Sequence, residues 1–167
     1  IITHCGFIPE NPKDPLYEGT LAAIVEVGRH CAANGVGFWF ETGQETPVVL
    51  PRVIEDSGLK NLGINLDTAN LILYGKANPL DALDVFGAHV RNLHAKDGLY
   101  PTNGRELGHE VAIGKGKVGF PKVIRRLHEL GFTGQIVIER EISGPQQAKD
   151  IQKSVGYLRR LVAKAQG

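Results

Sequence analysis

Four side chains that can bind a divalent metal ion or transfer a proton follow short apolar runs in the chain. They are Glu41, Asp67, His94 and Glu139, and the runs read FWFE, INLD, NLH and IVIE. The first three are separated by 26 and 27 residues, about one β-strand with its helix, and the last by 45 residues. Because three carboxylates that met without a cation would repel one another, this set predicts a divalent-metal site.

Asp67 is the residue that most needs a partner, because it interrupts an otherwise apolar stretch, GINLDTANLILYG. An ionised acid in such surroundings is costly unless a cation or a metal compensates its charge. For any one of the four residues the alternative is structural, since strand-end acids commonly cap helices or form ion pairs. The joint pattern favours a metal. Oxygen donors with one imidazole suit Mn²⁺, Mg²⁺, Co²⁺ or Zn²⁺, and the sequence does not choose among these ions.

Five short runs rich in Val, Ile and Phe, each followed by a turn and a helical segment, predict five β/α units. The runs are ITHCGF, VGFWFETG, LGINLDTAN, HVRNLHAKD and GQIVIERE. Helix starts are predicted where a capping side chain precedes a proline, at Asp14-Pro15, Thr46-Pro47 and Asn78-Pro79. The sequence thus predicts an α/β fold with a parallel sheet.

Side chains alternate between the two faces of a strand, and this alternation puts the candidate ligands on one side of the sheet. Glu41 shares its face with Trp39, and Asp67 shares its face with Asn65. In the next strand the same rule predicts four residues on the ligand side: Val90, Asn92, His94 and Lys96. The carboxyl ends of parallel strands meet at one edge of a sheet, so we expect the four candidate ligands to converge there.

Two further residues on this side could contact a substrate. His4 fits a substrate contact and a hydrogen-bonded structural histidine equally well. Lys96 could bind a hydroxyl, phosphate or carbonyl oxygen of a substrate, or could pair with Asp97. The longest irregular stretch is 98–119, a length typical of functional or disordered loops. Its GKGKVGF run resembles a phosphate-binding loop only superficially, and a turn before a helix is the better interpretation.

The composition limits the classes of partner. Nineteen basic and eighteen acidic residues leave a net charge of +1, without the basic cluster that binding to nucleic acid or to an anionic membrane requires. Neither a signal peptide nor a membrane-spanning run is found, and Cys5 and Cys31 fit neither a disulfide framework nor a zinc-site spacing. We therefore expect a cytoplasmic protein in which residues 1–167 form a single domain.

The segments FETGQE, GINLDTANLILYG, VRNLHAKDG, GKGKVGF and IVIERE, in this order, resemble the sugar phosphate isomerase/epimerase family. Its members are xylose-isomerase-like (β/α)8 TIM barrels. The resemblance implies that this chain corresponds to strands four to eight, a partial barrel of five β/α units. It places the family's metal ligands on Glu41, Asp67, His94 and Glu139. Asn70 stands where free-ketose epimerases usually carry a histidine, so Asn70 is a candidate substrate contact and the identity of the substrate stays open.

The resemblance also implies an activity. It is that of a metal-dependent isomerase or epimerase of a sugar, sugar phosphate or cyclitol, which abstracts a proton next to a carbonyl by way of an enediolate. Glu41 and Glu139 would act as catalytic base and acid on a small-molecule carbohydrate. We expect the open barrel edges to be covered by further residues or by a second copy of the chain.

Three alternatives remain open at this point. The same fold could serve an abasic-site endonuclease-like metallohydrolase, or a non-catalytic binding domain. The rival fold is an open sheet of the flavodoxin type, which five β/α units would equally fill.

Overall fold

The computed structural model describes residues 1–167 and contains seven strands and six α-helices. In chain order these are β1 (Ile2–Thr3), α1 (Pro15–Ala33), β2 (Phe38–Glu41), α2 (Val49–Ser57), β3 (Leu62–Asp67), α3 (Thr68–Leu73), α4 (Pro79–Phe86), β4 (Val90–Ala95), β5 (Asp97–Leu99), β6 (His109–Val111), α5 (Phe120–Glu129), β7 (Gln135–Ile138) and α6 (Pro145–Gln166). A short 3₁₀ turn, Gly87–His89, precedes β4.

Five strands form one sheet in the order β1-β2-β3-β4-β7, and every neighbouring pair is parallel. Each strand therefore pairs with the strand of the next β/α unit along the chain. A flavodoxin-type sheet would show a change of direction in this order, with the first strand inside the sheet. The sequential order is that of an α/β barrel, and the five units predicted from the sequence form part of one.

The apolar core lies between the sheet and its helices. Ile64, Leu66 and Leu93 are fully buried on the helix side of β3 and β4, and Val53 and Phe86 are equally inaccessible on α2 and α4. Full burial of such side chains contributes about 1.5–3 kcal/mol each. Packing against the helices thus determines the residues on the helix-facing side of the sheet. Polar side chains can therefore lie on the opposite face. None of the helices combines the length and the apolar character that crossing a membrane requires.

Two of the three predicted helix starts are observed, and one is wrong. α1 and α4 begin at the proline, and the side chain before each proline accepts a backbone hydrogen bond. α2 begins only at Val49, without a side-chain cap. Thr46 does not cap it, because its hydroxyl and its backbone N–H both donate to the carboxylate of Glu10, which lies in the loop between β1 and α1.

The predicted face of Val90 is also wrong, because β4 contains a bulge. The register pairs Ile64 with Val90 and Asn65 with Asn92, so that Arg91 is an extra residue on β4. Val90 therefore turns into the helix-facing core. Beyond the bulge the predicted alternation is restored, and Asn92 donates a hydrogen bond of 2.6 Å from Nδ2 to Oδ1 of Asn65.

The stretch 98–119 is more regular than its sequence suggests. β5 and β6 pair in antiparallel fashion within it. The carboxylate of Asp97 accepts four backbone hydrogen bonds of 2.8–3.2 Å, donated by Gly98, Gly114, Gly116 and Val118. The glycine-rich run is therefore wrapped around a carboxylate of the chain itself. Lys96 does not pair with Asp97, since its ammonium group lies among other acids.

Candidate metal centre

The four candidate ligands converge at one edge of the sheet. Glu41 ends β2, Asp67 ends β3, His94 lies near the end of β4, and Glu139 follows directly after β7. One ligand atom from each side chain lies within 4.8 Å of all the others. Parallel pairing brings them together, because the register sets Asp67 beside His94 and the neighbouring strands end at the same level.

His94 contacts two of the carboxylates through one ring nitrogen. Its Nδ1 lies 3.0 Å from Oε1 of Glu41 and 3.4 Å from Oε1 of Glu139. The hydrogen bond with Glu41 raises the pKa of His94 in spite of the burial of the ring. Burial favours the neutral form of Glu41, yet the hydrogen bond with His94 lowers its pKa. The neighbouring carboxylates thus favour the protonated form of the His94 imidazole.

Asp67 uses its two oxygens in different ways. Oδ1 caps α3, accepting hydrogen bonds from the backbone of Ala69 at 2.9 Å and of Asn70 at 2.8 Å. Oδ2 is buried and accepts no hydrogen bond, although Lys96 Nζ lies 3.5 Å away. Burial is the main reason that the pKa of Asp67 is raised to about 7. Asp67 therefore caps α3 with one oxygen and keeps the other available as a metal ligand.

The ammonium group of Lys96 lies among the acidic side chains of the site. Its Nζ lies 3.1 Å from Oε2 of Glu139 and 2.8 Å from Oε2 of Glu141, and it donates to Oδ1 of Asn70 at 3.2 Å. Glu141 is not among the site residues predicted from the sequence. The sequence feature that could have identified Glu141 is the ERE run, in which a second glutamate follows Glu139 by two residues.

These side chains open into a cavity of about 360 Å³. All three predicted substrate contacts line it: His4, Asn70 and Lys96. His4 is exposed, and its imidazole makes no hydrogen bond within the chain. Leu107 and Gly108, from the turn before β6, form part of the wall. Glu41, Glu139 and the three predicted substrate contacts thus line one cavity, which is large enough for a small polar molecule, whereas Asp67 and His94 are not among its lining residues.

The donor set fits a hard divalent cation. Three carboxylates and one imidazole are available, and Oδ2 of Asp67 is a buried acceptor that no donor satisfies. Such an oxygen is costly to bury without a hydrogen bond, and its positive neighbour, Lys96 Nζ at 3.5 Å, donates none to it. Oxygen-rich sites with one imidazole suit Mg²⁺, Mn²⁺, Co²⁺ or Zn²⁺ rather than thiophilic metals. The four residues therefore form a group that can hold a divalent metal ion.

The fold and this cluster define a barrel protein of the α/β class. Residues 1–161 match the xylose isomerase-like TIM barrel family, and the chain belongs to that family. A xylose isomerase domain protein from Planctomyces limnophilus is 38% identical, with a TM-score of 0.89 over 99% of this chain and 58% of that chain. An uncharacterized protein from Methanocaldococcus jannaschii is 27% identical over 165 residues, which cover 92% of this chain and 55% of that protein. The chain thus spans little more than half the length of these two relatives.

More distant structures share the fold. A xylose isomerase-like TIM barrel protein from Mycobacterium smegmatis, solved in complex with magnesium, is 20% identical with a TM-score of 0.71, over 96% of this chain and 56% of that chain. A D-tagatose 3-epimerase-like protein, an L-ribulose 3-epimerase and a mannonate dehydratase from Streptococcus suis also have this fold, at 12–22% identity. The family resemblance noted in the sequence is confirmed.

Proposed function

We propose that this chain carries the metal-binding part of a metal-dependent isomerase or epimerase that acts on a sugar, sugar phosphate or cyclitol. The observation that carries the proposal is the convergence of Glu41, Asp67, His94 and Glu139, with one buried oxygen of Asp67 unsatisfied. Both glutamates open into a cavity suited to a small molecule. Aldose–ketose isomerisation and epimerisation both begin by removing a proton from carbon next to a carbonyl, which needs a base and charge stabilisation.

Glu41, Asp67, His94 and Glu139 would hold the ion. When bound, a divalent ion supplies Lewis acidity that stabilises negative charge on neighbouring substrate oxygens. The protein's own contribution is geometric, since each ligand lies at or next to the end of a different strand. Asp67 is the most rigid of the four, because its other oxygen is held by two backbone N–H groups.

Glu41 and Glu139 are suited to move the proton. They come from strands on opposite sides of the β3–β4 pair, so that their carboxylates approach the cavity from two directions. Removal of a proton by one and its return by the other inverts a carbon centre, which is epimerisation. Return of the proton to the adjacent carbon is aldose–ketose isomerisation.

Three neighbours would orient the substrate. Lys96 donates hydrogen bonds both to Asn70 and to Glu139, which places its ammonium group beside the proposed base. The unpaired imidazole of His4 lies on the other side, near Glu41. Together they offer donors and acceptors to substrate hydroxyl and carbonyl oxygens.

The proposal draws support from the family as well. Epimerases share the fold, and one neighbour was solved with magnesium. Because this chain corresponds to little more than half of its relatives, the remaining walls of a substrate site would come from further residues or from a second copy. We therefore expect the chain alone to bind metal and to turn over substrate poorly.

The test is metal analysis combined with a solvent-deuterium exchange screen. The chain, purified with Mn²⁺, should retain about one ion and should catalyse exchange of the α-proton in at least one ketose or inosose. Glu139→Gln should abolish the exchange while the circular dichroism spectrum stays unchanged. Glu129→Gln, on the surface of α5, is the matched control and should exchange like the wild type. Persistent exchange in Glu139→Gln would remove Glu139 from the mechanism, and a wild-type chain without bound metal would contradict the proposal as a whole.

A further inference from the structure

Glu139 is the last residue that the sheet holds before the chain leaves β7. β7 ends at Ile138, and the backbone N–H of Glu139 makes the last ladder bond, 3.0 Å to the carbonyl oxygen of Ala95. Residues 139–144 then have neither helix nor strand structure until α6 begins. The other three candidate ligands are all within strands, so something else must fix this segment.

Arg140, the next residue, connects the segment to two other elements. Its Nε donates to Oδ2 of Asp150 on α6 at 3.0 Å. Its Nη1 lies 3.0 Å from Oε1 of Glu110 on β6, an ion pair whose angle is not that of a hydrogen bond. Glu110 also accepts the backbone N–H of Glu141 through Oε2, at 2.9 Å. We call these three residues, Glu110, Arg140 and Asp150, the Arg140 network.

The Arg140 network is not an ordinary surface ion pair. The side chains of Arg140, Glu110 and Asp150 are only 13%, 11% and 9% exposed. Surface pairs contribute little, but removal of one member of a buried group leaves uncompensated charge behind. Without the guanidinium, the carboxylates of Glu110 and Asp150 would lose the cation that they share.

We infer that Arg140 is a positioning residue that fixes Glu139 toward the candidate metal centre by tying residues 139–141 to β6 and α6. The inference rests on the proposed function, because it assigns Glu139 as a ligand. It also explains the β5–β6 hairpin, which lies outside the five-stranded sheet and supplies Glu110. Outer partners that orient metal ligands commonly change metal affinity by about 10–100-fold when they are removed.

The test is the Mn²⁺ affinity of Arg140→Ala, measured by titration calorimetry on the full chain. Its dissociation constant should rise by at least about tenfold relative to wild type. Arg126→Ala is the matched control, because Arg126 also pairs with a carboxylate, Asp84, but on the outer helices. That variant should stay within about twofold of wild type. A folded Arg140→Ala chain with unchanged Mn²⁺ affinity overturns the inference.

Two additional measurements keep the inference falsifiable. If Arg140→Ala does not fold, Glu110→Gln replaces it, because this variant keeps the side-chain shape and removes one charge of the Arg140 network. Unchanged Mn²⁺ affinity in Glu110→Gln would then overturn the inference. Hydrogen exchange at the amides of Glu139 and Glu141 is a readout that needs no metal. In metal-free protein, exchange at these two amides should be at least about tenfold faster in the Arg140 or Glu110 variant than in Arg126→Ala, and equal rates would overturn the inference.

These measurements distinguish a failure of the proposed function from a failure of the positioning role of Arg140. A wild-type chain that binds no Mn²⁺ would contradict the proposed function, while amide exchange would still show whether Arg140 holds the segment. A wild-type chain that binds Mn²⁺ equally well with and without Arg140 would leave the metal site standing and remove the role of Arg140.

Discussion

Lys96 Nζ lies 3.5 Å from Oδ2 of Asp67, and both side chains are almost completely shielded from water, at 2% and 0% exposure. The ammonium group also contacts Glu139 and Glu141, so that one buried cation serves three carboxylates. A bound divalent ion would add a second cation to the same acids. Lys96 therefore both stabilises the metal-free cluster and weakens the attraction of the cluster for a metal.

Lys96→Met should destabilise the metal-free protein strongly. Removing one partner from a buried ion pair costs about 3–5 kcal/mol, because the remaining charge is left uncompensated. The measurement is urea unfolding well above pH 7, because burial raises the pKa of Asp67 to about 7 and the loss of Lys96 would raise it further. Mn²⁺ should restore more stability to Lys96→Met than to the wild type, since the ion replaces the missing cation.

Lys76→Met provides the control for this experiment. Lys76 pairs with Glu10 at 3.4 Å, but on the surface, with side chains 30% and 45% exposed. Its loss should cost less than about 1 kcal/mol. If Lys96→Met were no less stable than Lys76→Met, the ion pairs of Lys96 would not stabilise the fold.

Asp97→Asn should loosen the glycine-rich run that forms part of 98–119. The carboxylate of Asp97 accepts four backbone N–H groups, and the amide of asparagine would present N–H donors where acceptors are needed. We expect a loss of roughly 2–4 kcal/mol in the free energy of unfolding. Amide exchange at Gly114 and Gly116 should become faster.

The matched control for Asp97→Asn is Asp81→Asn, an exposed position in the first turn of α4. It should change the free energy of unfolding by less than about 1 kcal/mol. Unchanged protection of Gly114 and Gly116 in Asp97→Asn would show that the four hydrogen bonds do not hold this run in place.

Glu45 gives a pH dependence that lies outside the candidate metal centre. Burial raises its pKa to about 7, against a hydrogen bond donated by the backbone of Ile8. Between its ordinary pKa of 4.5 and about 7, the folded state binds more protons than the unfolded state. The free energy of unfolding therefore falls as pH rises through this range. Above it, ionised Glu45 destabilises the fold by roughly 3 kcal/mol.

Glu45→Gln should remove this contribution. Asp67 has a raised pKa as well, so the useful quantity is the difference between the wild-type and variant unfolding curves measured across the same pH range. That difference should grow from pH 4.5 to about 7 in favour of Glu45→Gln and then level off. Glu55→Gln, at an exposed position on α2, should show no such difference. Parallel curves for wild type and Glu45→Gln would contradict the raised pKa of Glu45.

Local rules were sufficient for part of the candidate site. Glu41, Asp67 and His94 each close an apolar run, and strand alternation with unit-length spacing placed them at one sheet edge. The same rules were wrong for Val90. A β-bulge depends on how two strands pair, so it cannot be read from the alternation of side chains within one strand. Local rules also failed at Thr46, whose hydroxyl has a partner in a different loop.

The sequence by itself determined the five β/α units and which four residues stand at the strand ends, since both depend on periodicity along the chain, and the resemblance of its segments indicated the family. Tertiary structure alone decided the partners of charged groups. Lys96 meets Glu141 rather than its neighbour Asp97, and Arg140 joins Glu110 to Asp150. Charged side chains have no periodic signal for their partners, because a long flexible side chain can reach any acid that folding brings within a few ångströms.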